Sequence, residues 1–119
     1  MGIRKSWEYS KRLDFSSGDF FIRAARDAKD LLDEATQQDN CVFVVYGEMI
    51  ADGETMIFFM RRKEAPDKSL ITVELKDGTI KQASLSQNRE ITNDDQIKFL
   101  ELWEEYVSKI LLKEKRKVS

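Results

Sequence analysis

The sequence predicts an α+β domain: an antiparallel β-meander over about residues 54–84, with an N-terminal hairpin available to extend it, packed against two or three helices. Three observations carry this. Asp77-Gly78 sits between the β-prone runs Leu70 to Leu75 and Thr79 to Ala83, a dipeptide suited to the positive φ angles of a two-residue hairpin turn. Thr55 to Met60 is almost continuously apolar, as befits a central strand covered on both faces. After Thr92 and Asn93, the residues Ile97, Leu100, Trp103, Val107, Ile110 and Leu111 recur every three to four positions, the period of a long helix that covers a sheet.

The remaining elements follow in order. Residues 1–12 show neither a period of two nor one of 3.6 and are read as irregular. Leu13 to Phe15 and Phe20 to Ile22 flank Ser16-Ser17-Gly18-Asp19, turn chemistry between two short strands. From Ala25, the spacing of Ala25, Ala28, Leu31, Leu32 and Ala35 predicts a helix with its charges on the other face, ending near Thr36. Asp39 or Asn40 can cap a second helix running from Cys41 to Gly53, because a short side-chain oxygen accepts an orphan amide of the first turn; the β-branched run Val42-Phe43-Val44-Val45 also suits a strand, but Tyr46 to Asp52 is poor strand material and favours the helix. Arg61 to Lys68 is a charged loop around Pro66, and Ser84 to Glu90 another loop. The last helix opens on Asp94 and Asp95, which suit its positive end, and runs into a basic tail over residues 113–119. A two-residue loop at Asp77-Gly78 sets Leu75 against Ile80, Glu74 against Lys81, Val73 against Gln82 and Thr72 against Ala83. Gln82 then falls on the apolar face and Glu74 forms a surface pair with Lys81.

A chain of 119 residues suits one domain, 1–119. Its 41% apolar and 35% charged residues describe a folded domain with a highly charged surface. Twenty basic and 22 acidic residues leave a net charge of −2, so nucleic acid or an anionic membrane would have to be bound by a local patch. No apolar run approaches membrane-spanning length and the N-terminus lacks the apolar segment of a secretory signal, so a cytoplasmic location without membrane contact is expected. Cys41 is the only cysteine and there is no histidine, which excludes an intrachain disulfide and removes the commonest general base. No cofactor or metal is expected: the carboxylates of Glu74, Asp77 and Glu64 show no convergent spacing. Cys41 is read as a small buried apolar residue, since a thiolate nucleophile needs an activating base or cation.

Two basic clusters stand out as surfaces for nucleic acid or a partner. Arg4, Lys5, Lys11 and Arg12 are interleaved with Trp7 and Tyr9, and Arg61-Arg62-Lys63 follows the central strand. Cations beside aromatic rings suit phosphate contact and base stacking, although the plain reading is solvated charge beside a core anchor.

The order of Cys41-Val42, Tyr46, Ala51-Asp52-Gly53-Glu54-Thr55, Ile57-Phe58-Phe59, Arg61, Pro66-Asp67-Lys68-Ser69, Thr72-Val73-Glu74, Gln82, Asn88 and Trp103 resembles that of the PcfJ-like domain. That family takes its name from a conjugative-plasmid protein and occurs in plasmids, integrative elements and phages. The resemblance runs from Leu13 to about Val107 and singles out Cys41, Tyr46, Thr72, Glu74, Gln82 and Asn88 as a candidate pocket. Where the family often has a histidine before the cysteine, this chain has Asn40; where it often has a glycine three residues beyond the glutamine, it has Leu85. The resemblance implies an origin in a mobile element. With catalytic residues missing, the expectation is a non-enzymatic module that binds a protein partner, such as an anti-CRISPR-like inhibitor of a host defence complex. The alternative is a nucleic-acid-binding accessory protein in plasmid or phage DNA processing.

Overall fold

The computed structural model of the chain describes residues 11–38, 56–76, 78–85 and 89–118. A 3-10 turn, Lys11–Leu13, leads into strand β1, Phe15–Ser17. Gly18, at a φ of 59°, and Asp19 then reverse the chain into β2, Phe20–Ala24. The predicted N-terminal hairpin is present, with a tighter turn than its polar spacer suggested, because Ser16 and Ser17 pair as strand residues with Phe21 and Phe20.

Helix α1, Ala28–Gln38, starts three residues later than its apolar spacing implied and ends two residues later. Sheet bonding continues past β2, the Ala25 N–H donating to the Ile57 carbonyl at 2.9 Å. Asp27 then accepts the Asp30 N–H at 2.9 Å, an N-cap that fixes the start of the helix. The second helix expected over Cys41 to Gly53 lies outside the described residues. Strands β3 (Met56–Arg62), β4 (Ile71–Lys76) and β5 (Thr79–Ser84) complete an antiparallel meander in the order β1-β2-β3-β4-β5. Helix α2, Asp94–Val118, is capped by the Asn93 side chain, which accepts the Gln96 N–H at 3.0 Å.

Strand alternation divides the sheet between the two helices. Ile22, Phe58, Met60, Ile71, Val73 and Leu75 face α2, where they pack with Phe99, Leu100, Trp103 and Val107. Trp103 has no exposed surface; it meets Phe58 edge-on at 4.8 Å and donates its indole N–H to the Leu13 carbonyl at 2.8 Å. That one side chain ties the helix to the sheet and to the turn before β1. The opposite face places Ala25, Ile57 and Phe59 with Leu31 of α1. Two residues counted in the apolar stripes lie outside them. Leu32 is 51% exposed and Ile97 36%, since Leu31 and Phe99 occupy the seams, Leu32 lies about 100° around the helix from Leu31, and Ile97 lies about 200° around from Phe99.

The β4–β5 hairpin corrects the expected register. Leu75 opposes Ile80 as predicted, but Glu74 opposes Gln82, Val73 opposes Ala83 and Thr72 opposes Ser84, with an irregularity between Glu74 and Leu75. Lys81 is an extra residue on β5, and a bulge of this kind flips every residue beyond it to the other face. Gln82 is therefore moved to the face of Glu74, where it is exposed; Glu74 keeps the face expected of it but is buried there, on the side of the sheet that also packs Leu31 of α1. Gly78 has a φ of 81° at the turn, and Asp77 lies outside the described residues.

Candidate functional site

The face of the sheet beneath α1 is unusually polar for a covered surface. β3 sends Ile57, Phe59 and Arg61 to it, and β4 sends Thr72 and Glu74, with Phe59 beside Thr72 and Ile57 beside Glu74. From α1, Glu34 and Gln38 enter the same layer, one helical turn apart, and neither has any exposed surface.

These groups form one network. Arg61 donates through Nη2 to Glu34 Oε1 at 2.9 Å and through Nη1 to the Pro66 carbonyl at 2.9 Å. Thr72 donates its hydroxyl to Glu34 Oε2 at 2.6 Å. Gln38 donates to Ser69 Oγ at 2.6 Å and the Leu70 carbonyl at 3.2 Å, and the Ser69 N–H donates to Gln37 Oε1 at 2.7 Å. Both carboxylate oxygens of Glu34 are thus satisfied and its charge is matched, the condition under which a buried ion pair is tolerated. The guanidinium of Arg61 also lies 5.4 Å from the centre of the Phe59 ring, and that of Arg23 5.0 Å from it. Arg61 Nε, Gln38 Oε1 and Glu74 Oε2 are buried without hydrogen-bond partners.

A second charged cluster fixes the start of α1. Asp30 Oδ2 accepts from the Arg26 N–H at 2.9 Å and from Arg23 Nη1 at 3.0 Å. Burial alone would raise this carboxyl; the Arg26 amide and the charge of Arg23 outweigh it and hold the group below its ordinary value. Asp14 behaves oppositely. Its burial pushes the carboxyl up, against the lowering effects of the bond from the Ala24 N–H, 2.8 Å long, and of the charges on Arg23, Lys11 and Arg26.

The structure places the candidates from the sequence as follows. Thr72, Glu74 and Gln82 share one sheet face, brought together by the bulge, whereas Cys41, Tyr46 and Asn88 lie outside the described residues. Arg4, Lys5, Trp7 and Tyr9 lie outside them as well; Lys11 is exposed, and Arg12 forms a two-pronged ion pair with Glu114 near the end of α2. The cluster Arg61-Arg62-Lys63 is divided, with Arg61 buried and Arg62 and Lys63 left at the surface. Strand alternation sends Arg61 under α1, while Arg62 lies over the Phe20 ring at 5.8 Å and Lys63 is exposed. Glu34 escaped the sequence reading because it was assigned to the charged side of the helix. Its spacing from Leu31 and Gln38, three and four residues, is the signal that places it on the buried stripe.

Fold and site together define a class: a five-stranded antiparallel meander with a helix on each face and a sealed acid–base pair under the shorter helix. The family model of PcfJ-like protein matches residues 2–99, and the chain belongs to this family. It is also similar to "Uncharacterized protein Lin1253/Lin1744" of Listeria innocua, with 34% identity over 91 residues, 76% of this chain and 20% of the relative. The chain therefore spans about a fifth of the length of that curated relative. No solved structure matches the chain. Among the described residues, no helix is long and apolar enough to cross a membrane.

Proposed function

We propose that the protein is a non-enzymatic interaction module of a mobile genetic element, acting by binding a protein partner; an anti-CRISPR-like inhibitor of a host defence complex is one form of this. The observation that supports the reading is how the family's polar residues are used. Arg61, Ser69 and Thr72, all among the residues that carry the family likeness, make hydrogen bonds to Glu34 and Gln38 that fasten α1 to the sheet and the loop before β4, and the carbonyl of Pro66, another of them, accepts from Arg61. They hold a binding scaffold in shape and leave recognition to the surface around it.

The test is reconstitution. Tagged protein is used to isolate a stoichiometric partner from host lysate, and the purified pair is then mixed and sized by light scattering. A one-to-one or other fixed-ratio complex is expected, and its absence with every captured protein would overturn the proposal. Binding of labelled single- or double-stranded DNA that weakens steeply with salt would favour the accessory nucleic-acid function instead. The burial of Arg61 and the pairing of Arg12 with Glu114 weigh against it.

A further inference from the structure

Among the described residues, the meander leaves β1 and β5 each with one side unpaired. Such an edge offers backbone N–H and C=O groups to any other strand, and proteins that stay as single copies shorten, cover or interrupt it. β1 is three residues long, which is itself a safeguard. β5 has six residues, of which Thr79, Lys81 and Gln82 are exposed, so it is the edge that needs closing.

Three features act on that edge. In an antiparallel ladder, residues alternate between bonding the opposite strand and turning their backbone groups away from it. Ile80 is of the second kind: its N–H donates to Glu104 Oε2 of α2 at 2.9 Å. The carboxylate therefore stands where the carbonyl of a sixth strand would sit. Next along β5, the extra residue Lys81 interrupts the repeat of outward groups and places a charge on the edge. Past the strand, the Leu85 N–H donates to the Arg89 carbonyl at 3.0 Å, which turns the chain back on itself. Ile80 precedes the bulge, so neither of the last two features covers it. A cleft of about 450 Å³ lined by Thr79, Glu104 and Ser108 leaves this stretch of edge reachable from solvent. Lys109 and Glu105 line the same cleft, yet Glu104 forms no ion pair among the described residues. Its bond is to the backbone, and a charged acceptor makes such a bond a strong one.

We propose that Glu104 caps the β5 edge: by holding the Ile80 N–H it prevents a second copy of this chain from adding its own β5 to the sheet. The cap goes beyond the interaction function proposed above and holds with or without it.

The test compares the full chain with Glu104→Ala, Glu104→Asp and Glu104→Gln. Glutamine keeps an acceptor oxygen at the same reach, whereas aspartate keeps the charge but is one methylene too short. Amide exchange at Ile80, measured on dilute protein, is expected to be at least about tenfold faster in the alanine and aspartate variants, the loss of one bond to a charged group. Light scattering at rising concentration should show those two variants self-associating, with protection returning at Ile80 in the associated form. The unaltered chain and the glutamine variant should stay monomeric. Alanine and aspartate variants that remain monomeric, a glutamine variant that associates as readily, or association that leaves Ile80 unprotected would each overturn the cap. Should Glu104→Ala fail to fold, the aspartate variant set against the glutamine variant decides.

Discussion

Glu34 and Arg61 meet at 2.9 Å where the carboxylate has no solvent exposure and the guanidinium side chain only 7%. A buried pair of this kind is a poor source of net stability, but breaking it leaves one charge stranded in a medium of low dielectric. Glu34→Gln and Arg61→Met are each expected to lose about 3–5 kcal/mol, while a double replacement by apolar residues of similar volume recovers most of the loss. Urea denaturation of the two single variants and the double variant measures the coupling. Glu74→Gln provides the contrast, since it removes a charge that forms no ion pair among the described residues. Its unfolding midpoint is expected to match or exceed that of the unaltered protein.

The two carboxylates near β2 predict opposite pH behaviour. Asp30 is held below its ordinary value of 3.8, so its stabilising contribution is complete above that value and is lost as pH falls through the lower folded value. Asp30→Asn should therefore be less stable than the unaltered protein near neutral pH, and the gap should close in acid. Asp14 is raised above 3.8, so its contribution falls as pH rises from 3.8 through the folded value. Asp14→Asn keeps an acceptor for the Ala24 N–H and should be at least as stable as the unaltered protein near neutral pH. Thermal melts across an acid-to-neutral series distinguish the two.

Gly78 lies at a φ of 81°, and a methyl group added there would come within 2.8 Å of Leu111 Cδ1. Gly78→Ala is expected to cost about 1–2 kcal/mol from the backbone alone. Gly18, at 59° with open space around it, should accept asparagine with a smaller loss, because asparagine tolerates this region. Paired denaturation curves check the ranking.

Trp103 combines apolar burial with one directed bond. Trp103→Phe keeps much of the contact with Phe58 but strands the Leu13 carbonyl, for an expected loss of about 1–3 kcal/mol. Trp103→Ala should lose about 3–5 kcal/mol. Amide exchange at the β1–β2 hairpin should quicken in both variants, since the indole ties α2 to the turn that precedes β1.

Local chemistry was enough to determine much of this protein. The β4–β5 hairpin with Gly78 in its turn, the apolar run of β3, the N-terminal hairpin and the period of α2 all rest on interactions between residues close in the chain, and each appears in the structure. The residues that carry the PcfJ-like likeness were legible for the same reason, as a linear order. The side of the sheet on which each polar group falls was decided only by tertiary structure. One additional residue at Lys81 moves Gln82 to the other face, and a bulge has no strong signature in its own sequence; Glu74 is buried on its expected face because that side of the sheet is covered. Arg61, read as part of a basic patch, is buried because Glu34, 27 positions away, neutralises it. Long-range pairing of charges depends on which helix lies over which strand, and no local pattern encodes that.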